Sequence, residues 1–561
     1  MMVVSEVIVK ILEKEGITHA FGIPGAGING LYKYLEKVPI KHYLVRHEEA
    51  AVHAADGYYR SAGKMAAALC TSGPGATNFV TGLYTAWQDS IPLLAITGQA
   101  VTAQLGKGAF QCVDIAEICR TVTKRAWCLT NPNTVPAVLR EAFDAALSGK
   151  PGPVLIDLPL DVQNAEIEFD IDTYLPSRTK APQPSKAAIE KAVKLLDQAK
   201  NPVIVMGGGV ILAKAEKALV EFAEYMGIPV ITTYMAKGGI PLDHPLNAGQ
   251  AGIQVGAVSS GNDLLLAADV VLGIGCRFTD RHTGNAGIYQ GERTFIHIDI
   301  DARELGKIIK TALGIQADAA DAVPLLLAAA KAAGGPRKRT APAVSFAEQR
   351  KKYIREPDPG KAVLDPREVF EAINRAFDDE TQFTTGCGIT QIWSGQYQRI
   401  NKPRKYFPSG GAGTLGFDIP AAIGASVAAG DSGRKAKTVC LMGDFGFTFL
   451  VEELGVAAAY DLPVVVLIVN NAYLGLIRQN QKYAYGYEYQ VAMKENKTLM
   501  DYVKVAEGFA CKAERVFTHP ELEAALKRAD AAKGPYVIDI VVNDNTDCDM
   551  GNDIAHIRHF E

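Results

Sequence analysis

The sequence predicts an α/β protein built from three doubly wound parallel-sheet domains. Three observations point there. The chain has 561 residues, enough for about three domains at roughly 100–200 residues each. Short, continuously apolar runs recur along it, bounded by Gly, Pro or Ser and separated by helical stretches, as expected for parallel strands buried on both faces. Two polar stretches divide these runs into three groups, giving domains over 1–170, 187–332 and 365–561.

The elements follow in order. In the first domain, residues 5–15 have the apolar spacing of a helix, and 66–71, 92–97 and 154–158 read as buried strands. The run from Gly25 to Gly30 fits GxGxxG, but residues 18–21 make a poor strand and Pro24 precedes the first glycine, so a turn before a helix is expected rather than a nicotinamide fingerprint. His47 and His53 are six apart and fall on different helix faces, which excludes the metalloprotease pattern. Residues 171–186, with Pro176, Pro182 and Pro184, read as a linker.

In the second domain, strands are expected at 202–206, 229–232, 270–273 and 294–298. Gly207-Gly208-Gly209 lacks the Lys and Ser/Thr of a P-loop, yet lets a backbone approach a pyrophosphate at a helix start. A second linker is expected over 333–364, and the third domain carries strands at 438–442, 464–469 and 536–541 with a helix over 452–460.

Lys and Arg number 58 against 62 Asp and Glu, a net charge of −4, with no basic cluster to follow a nucleic-acid backbone. No apolar run approaches the roughly 18–20 residues of a membrane span, and the N-terminus has no signal-peptide pattern. Nine cysteines without a CxxC pair suggest a reducing compartment. The expectation is a cytoplasmic enzyme that binds neither nucleic acid nor membrane.

The chemistry concentrates in the third domain. Strand 438–442 runs into Gly443-Asp444-Phe445, and strand 464–469 into Asn470-Asn471-Ala472-Tyr473. Parallel strands bring such ends to one rim of the sheet, where ligands bind. A carboxylate at Asp444, an amide oxygen at Asn471 and a backbone carbonyl at Tyr473 would make the hard-oxygen set that Mg²⁺ takes together with phosphates. A helix cap and a turn are the alternative for these residue types.

The 27-residue spacing of Asp444 and Asn471 resembles the metal and diphosphate signature of thiamine diphosphate enzymes, with Phe445 where a glycine is usual. The segment from Arg46 to Tyr58 is similar to the pyrimidine domain of that superfamily and puts Glu48 on its catalytic glutamate. The resemblance extends over essentially the whole chain. It implies cofactor contacts at Pro24, at Gly73 and Asn78, at Gly388, Thr390 and Gln391, at Gly413 and Leu415, and at Gly443 and Phe445. Leu415 matches the residue that bends the cofactor, and Phe110 and Gln111 match the substrate-side loop and stand with Glu48 as catalytic candidates.

The middle segment resembles the FAD-binding domain of the acetolactate synthase and glyoxylate carboligase family. This implies a structural, non-redox FAD held by Gly207, Gly208, Arg277, Arg281, Asp299, Ile300 and Asp318. The family implies decarboxylating carboligation of small 2-oxo acids, in a homodimer or homotetramer with active sites at subunit interfaces. Segments 443–454 and 470–479 and the tail 549–561 look most like the carboligase branch, which implies two glyoxylates giving tartronate semialdehyde and CO₂. Asn480 stands where the synthases carry Trp. Glu48, where carboligases carry Val, and the segment 385–393 look like the synthases, which keeps acetolactate formation from pyruvate open. A flavin-dependent 2-oxo acid oxidase and a non-catalytic subunit are further alternatives.

Overall fold

The computed structural model describes residues 1–177, 181–256, 259–338, 346–353, 363–433, 436–493 and 500–559. Three six-stranded, all-parallel sheets organise the chain.

The first sheet runs in the order Lys41–Leu44, His19–Gly22, Ala67–Cys70, Leu94–Gln99, Val154–Pro159, Arg125–Cys128. The third runs Tyr406–Pro408, Gln382–Thr385, Thr438–Gly443, Val464–Asn470, Tyr536–Val541, Lys512–Val516. Numbered within each domain, both read 2-1-3-4-6-5. The middle sheet runs Asn247–Gln250, Val230–Thr232, Pro202–Met206, Val270–Ile274, Thr294–Asp299, Leu313–Gln316, which is 3-2-1-4-5-6. That is the strand order of dinucleotide-binding folds, whose ligands sit where the winding direction reverses.

The order fixes where sites can form. In the first and third sheets the reversal lies between strands 1 and 3. The chain leaves those strands at Ile23-Pro24 and Thr71–Gly73 in the first sheet, and at Gly386–Gly388 and Asp444 in the third. In the middle sheet it leaves at Gly207–Gly209 and Gly275–Arg281. These are the segments the sequence singled out.

Several expectations are corrected. Residues 19–22 form a fully buried strand, although His-Ala-Phe-Gly has no β-branched residue. Ala20 and Gly22 allow close packing against the next strand, and a Cβ at Gly22 would overlap the Leu69 carbonyl. The turn before a helix does follow, with the helix at Asn29–Leu35. The expected helix 452–460 is a 3₁₀ turn, Val451–Glu453, followed by Leu454–Ala459. The linker 333–364 contains a helix, Phe346–Tyr353, whose Arg350 pairs with Glu371 at 2.7 Å. Residues 339–345 and 354–362 of that linker lie outside the described residues, as do Phe560 and Glu561 of the tail.

The first and third domains share one apolar core, which joins Phe21, Phe79 and Leu83 to Ile419, Phe447 and Leu454. At its centre the helices Glu48–Ala62 and Asp418–Asp431 cross at backbone distance. A methyl group at Gly57 would overlap the Ala421 carbonyl, and one at Gly424 the Ala54 carbonyl. Helix Glu48–Ala62 is thereby fixed against the domain that carries Asp444.

Candidate active site

Glu48 is the first residue of its helix and is half-buried. The cap is His47, whose Nδ1 accepts from the Glu49 amide at 3.2 Å. The Asn78 side chain donates to Glu48 Oε2 at 2.9 Å. Gly75 faces Glu48 Oε1, and a Cβ there would stand 3.1 Å from it. Gly73 (φ +61) closes against Gln111 so tightly that a Cβ would sit 2.7 Å from the Gln111 Cβ. Glu48, Gly73, Asn78 and Gln111 thus form one group at the rim of the first sheet, with Pro24 exposed at the end of the neighbouring strand. Gln111 is itself left-handed (φ +53). Phe110 is the exception, 89% exposed and pointing away into solvent.

Sequence reasoning missed what holds the start of this helix. Glu453, buried in the third domain, accepts from the Arg46 and His47 amides at 2.7 and 2.9 Å through Oε1. Its Oε2 has no hydrogen-bond partner, and burial pushes its carboxyl up to about 8. The unfolded chain ionises this group near 4.5, so its contribution to stability falls as pH rises from there towards 8. Glu453→Gln keeps the accepting oxygen and removes the titration. The melting temperature of the cofactor-free variant is expected to decline less than that of the parent between pH 5 and 8, by on the order of a few degrees. Parallel declines in a thermal-melt series would show that Glu453 is not held in this state.

The second group lies on the third sheet. Asp444 follows strand Thr438–Gly443 and is buried, and its Oδ2 has no hydrogen-bond partner. Burial pushes its carboxyl up to about 7, against the pull of the Phe445, Asp444 and Ala472 amides. The Ala472 amide comes from the segment after strand Val464–Asn470, so the two strand ends meet as the sequence requires. Asn471 is buried, and its Oδ1 accepts from the Tyr473 amide at 3.2 Å. The Arg478 guanidinium lies over the Tyr473 ring at 4.1 Å.

Around this pair, Thr390 Oγ1 is a second buried oxygen without a partner, and a Cβ at Gly443 would stand 3.5 Å from it. Gly388 (φ +110) faces open space. Phe445 packs edge-on to Phe449 at 5.4 Å. Leu415 is half-buried, with its Cδ2 3.8 Å from where a Gly446 Cβ would lie. Gly413 (φ +63) lies over Cys387, and a Cβ there would stand 3.4 Å from its Sγ. Two orphaned buried oxygens beside an open glycine turn fit a hard cation and a polyoxygen group. They are not the satisfied partners of a helix cap.

The third group lines a cleft of about 280 Å³ at the reversal point of the middle sheet. Gly208, Arg277, Arg281, Asp299, Ile300 and Asp318 all face it. Burial pushes Asp299 up to about 6, and Asp318 caps helix Ala319–Ala333 by accepting from the Ala320 amide at 2.9 Å. Gly207 is displaced from the lining. It packs on the Gly275 backbone, where any Cβ would collide, so its role is close strand-to-helix packing. Gln391, expected among the thiamine diphosphate contacts, faces this cleft as well, with its amide donating to the Gly386 and Ser409 carbonyls.

All nine cysteines are free. Among the described residues no group of three His, Cys, Asp or Glu side chains is placed to hold a metal ion. Among the described residues no helix is long and apolar enough to cross a membrane.

A glutamate at one sheet rim, a carboxyl and amide pair at another and a dinucleotide-type middle sheet make an α/β protein with three candidate ligand sites. Comparison with known proteins gives the family. The N-terminal TPP binding domain of thiamine pyrophosphate enzymes matches residues 2–118, the central domain 189–326 and the C-terminal TPP binding domain 386–540. Glyoxylate carboligase of Escherichia coli O157:H7 is 44% identical, with 98% of this chain and 95% of that protein covered. A probable acetolactate synthase large subunit of Methanocaldococcus jannaschii is 39% identical, covering 96% of this chain and 92% of that protein. The acetolactate synthase large subunit of Corynebacterium glutamicum is also 39% identical, covering 96% and 87%. The chain belongs to the thiamine pyrophosphate (thiamine diphosphate) enzymes.

Proposed function

We propose that this protein is a lyase that joins two glyoxylates into tartronate semialdehyde with release of CO₂. The observation that carries the reading is the 44% identity to a glyoxylate carboligase over nearly the whole of both chains. Asn480, exposed at the end of helix Gly475–Asn480, supports it. It offers an amide to a small carboxylate acceptor.

When bound, thiamine diphosphate supplies the electron sink that lets a 2-oxo acid lose CO₂. The residues present fit it. The Glu48 carboxyl, oriented by Asn78 and by the Glu453-held helix start, would hydrogen-bond the aminopyrimidine ring and serve there as the acid-base group. Asp444, Asn471 and the Tyr473 carbonyl would hold Mg²⁺, with Thr390 and Gly388 beside the diphosphate. Leu415 would support the bent cofactor. Gln111 would face the substrate, and Phe110, exposed in the single chain, would be available to a neighbouring subunit.

FAD would occupy the middle cleft as a structural group, its pyrophosphate at Arg277 and Arg281 and its adenosine end near Asp299 and Asp318. Glu48 and Asp444 would then act from different chains of a homodimer or homotetramer, in the cytoplasm. Acetolactate synthesis from pyruvate is the second reading, and Glu48 favours it.

Purified protein supplied with thiamine diphosphate, Mg²⁺ and FAD should convert glyoxylate to tartronate semialdehyde, identified by mass, with little acetolactate from pyruvate. Acetolactate as the main product would move it to the synthase branch.

A further inference from the structure

We infer that Asp89, with Arg60, is a positioning pair that couples the middle-domain cleft to the loop carrying Leu415, so that a dinucleotide in the cleft tightens thiamine diphosphate binding. This rests on the reading of the cleft as an FAD site.

The Asp89 side chain is fully buried at the end of helix Phe79–Asp89. Its Oδ1 accepts from the Gly411 amide at 2.8 Å and its Oδ2 from the Gly410 amide at 3.2 Å. Arg60 Nη2 donates to Asp89 Oδ2 at 2.8 Å, and Arg60 Nε donates to the buried Asp56 at 2.5 Å. Arg60 Nη1 donates to the Pro408 carbonyl at 2.9 Å, at the start of the same loop. A buried ion triad from the first domain thus grips 408, 410 and 411 of the third.

The grip reaches Leu415 through a short closed turn. The Gly413 amide donates to the Ser409 carbonyl at 3.1 Å, and the Thr414 amide to Ser409 Oγ at 3.0 Å. Thr85, on the same helix as Asp89, meets the Thr414 hydroxyl at 2.6 Å. The other side of the loop is the cleft wall, since Arg60, Asp89, Gly410 and Gly411 all face the cavity that Arg277 and Asp318 line.

Gly410 packs on Met235 and Gly411 on Asp89 and Gln88, where any Cβ would collide, so the loop is held in close backbone contact along the cleft wall. Loop conformers that release Asp89 would have to move into the cleft. A ligand in the cleft would exclude them. The binding-competent loop is then more populated, and apparent thiamine diphosphate affinity rises by the same factor. Linkage makes the effect reciprocal, with typical couplings of roughly 5–150-fold.

The test titrates protein stripped of cofactors with thiamine diphosphate and Mg²⁺, with and without saturating FAD, by calorimetry. Amide hydrogen exchange over 409–416 is followed in parallel with FAD alone. In the parent, FAD is expected to tighten thiamine diphosphate about 10-fold and to slow exchange in this segment. Asp89→Asn should reduce the coupling to less than about 3-fold while FAD still binds. Thr85→Val, a milder change at the second tether, should give an intermediate value. Equal thiamine diphosphate affinity with and without FAD in the parent, or full coupling retained in folded Asp89→Asn and Thr85→Val, would overturn the inference. Failure of the protein to take up FAD would overturn it too, and would be visible separately as absent flavin absorbance, which refutes the cleft assignment itself.

Discussion

Replacing Glu48 with Gln is expected to slow exchange of the thiazolium C2 proton by about 10²–10⁴-fold, the range for loss of a positioned acid or base. The substitution keeps an oxygen for the Asn78 amide and a similar shape, so the helix start should stand unchanged. What it loses is the carboxyl that can share a proton with the aminopyrimidine ring. Thiamine diphosphate affinity should shift little, because Asp444, Asn471 and Thr390 are untouched. C2 exchange followed by NMR after acid quench separates the two effects. An unchanged exchange rate with bound cofactor would remove Glu48 from the chemistry.

Asp444→Asn should produce effects of opposite sign in the empty and loaded protein. Asp444 is a buried carboxyl with one unpartnered oxygen and with its ionisation pushed up to about 7 by burial. The unfolded chain ionises it near 3.8, so the cofactor-free fold is penalised increasingly as pH rises from there towards 7. Removing the charge should therefore leave the melting temperature of the empty protein at pH 8 equal or higher. The same change takes away the only acidic ligand proposed for Mg²⁺. Thiamine diphosphate affinity is then expected to fall by roughly 100-fold or more. The ligand-induced rise in melting temperature, worth about 2.7 kcal/mol at 100-fold saturation in the parent, should disappear. A variant that melts lower when empty but still gains stability with cofactor would place Asp444 in the framework instead.

Much of this site was legible because it stands where apolar strands stop. Strand Val464–Asn470 is a run of Val, Leu and Ile ending in Asn470-Asn471, and Thr438–Gly443 ends against Asp444, so period and punctuation both mark the rim. The strands that escaped notice are short or mixed in character. His19–Gly22 lies inside the sheet with Gly22 pressed against Leu69, and the edge strands Lys41–Leu44 and Arg125–Cys128 carry charges that suit an exposed sheet margin.

The supporting residues were not legible at all. Glu453 reads as one more glutamate after Glu452, and its partners are the Arg46 and His47 amides some four hundred positions earlier. Asp89 and Arg60 likewise act on Gly410, Gly411 and Pro408. Backbone amides leave no mark in a sequence, and pairing across domains follows only from the crossing of helices Glu48–Ala62 and Asp418–Asp431 at Gly57 and Gly424. Phe110 shows the converse, since its position in the chain marks it while its surroundings in a single chain do not.

The most direct measurement is calorimetric titration of the cofactor-stripped protein with thiamine diphosphate, with and without Mg²⁺. One saturable site per chain in the presence of Mg²⁺, weakened at least about 10-fold when the metal is chelated, is the expected result. Absence of saturable binding with Mg²⁺ present would contradict the assignment of Asp444, Asn471 and Glu48 to one cofactor.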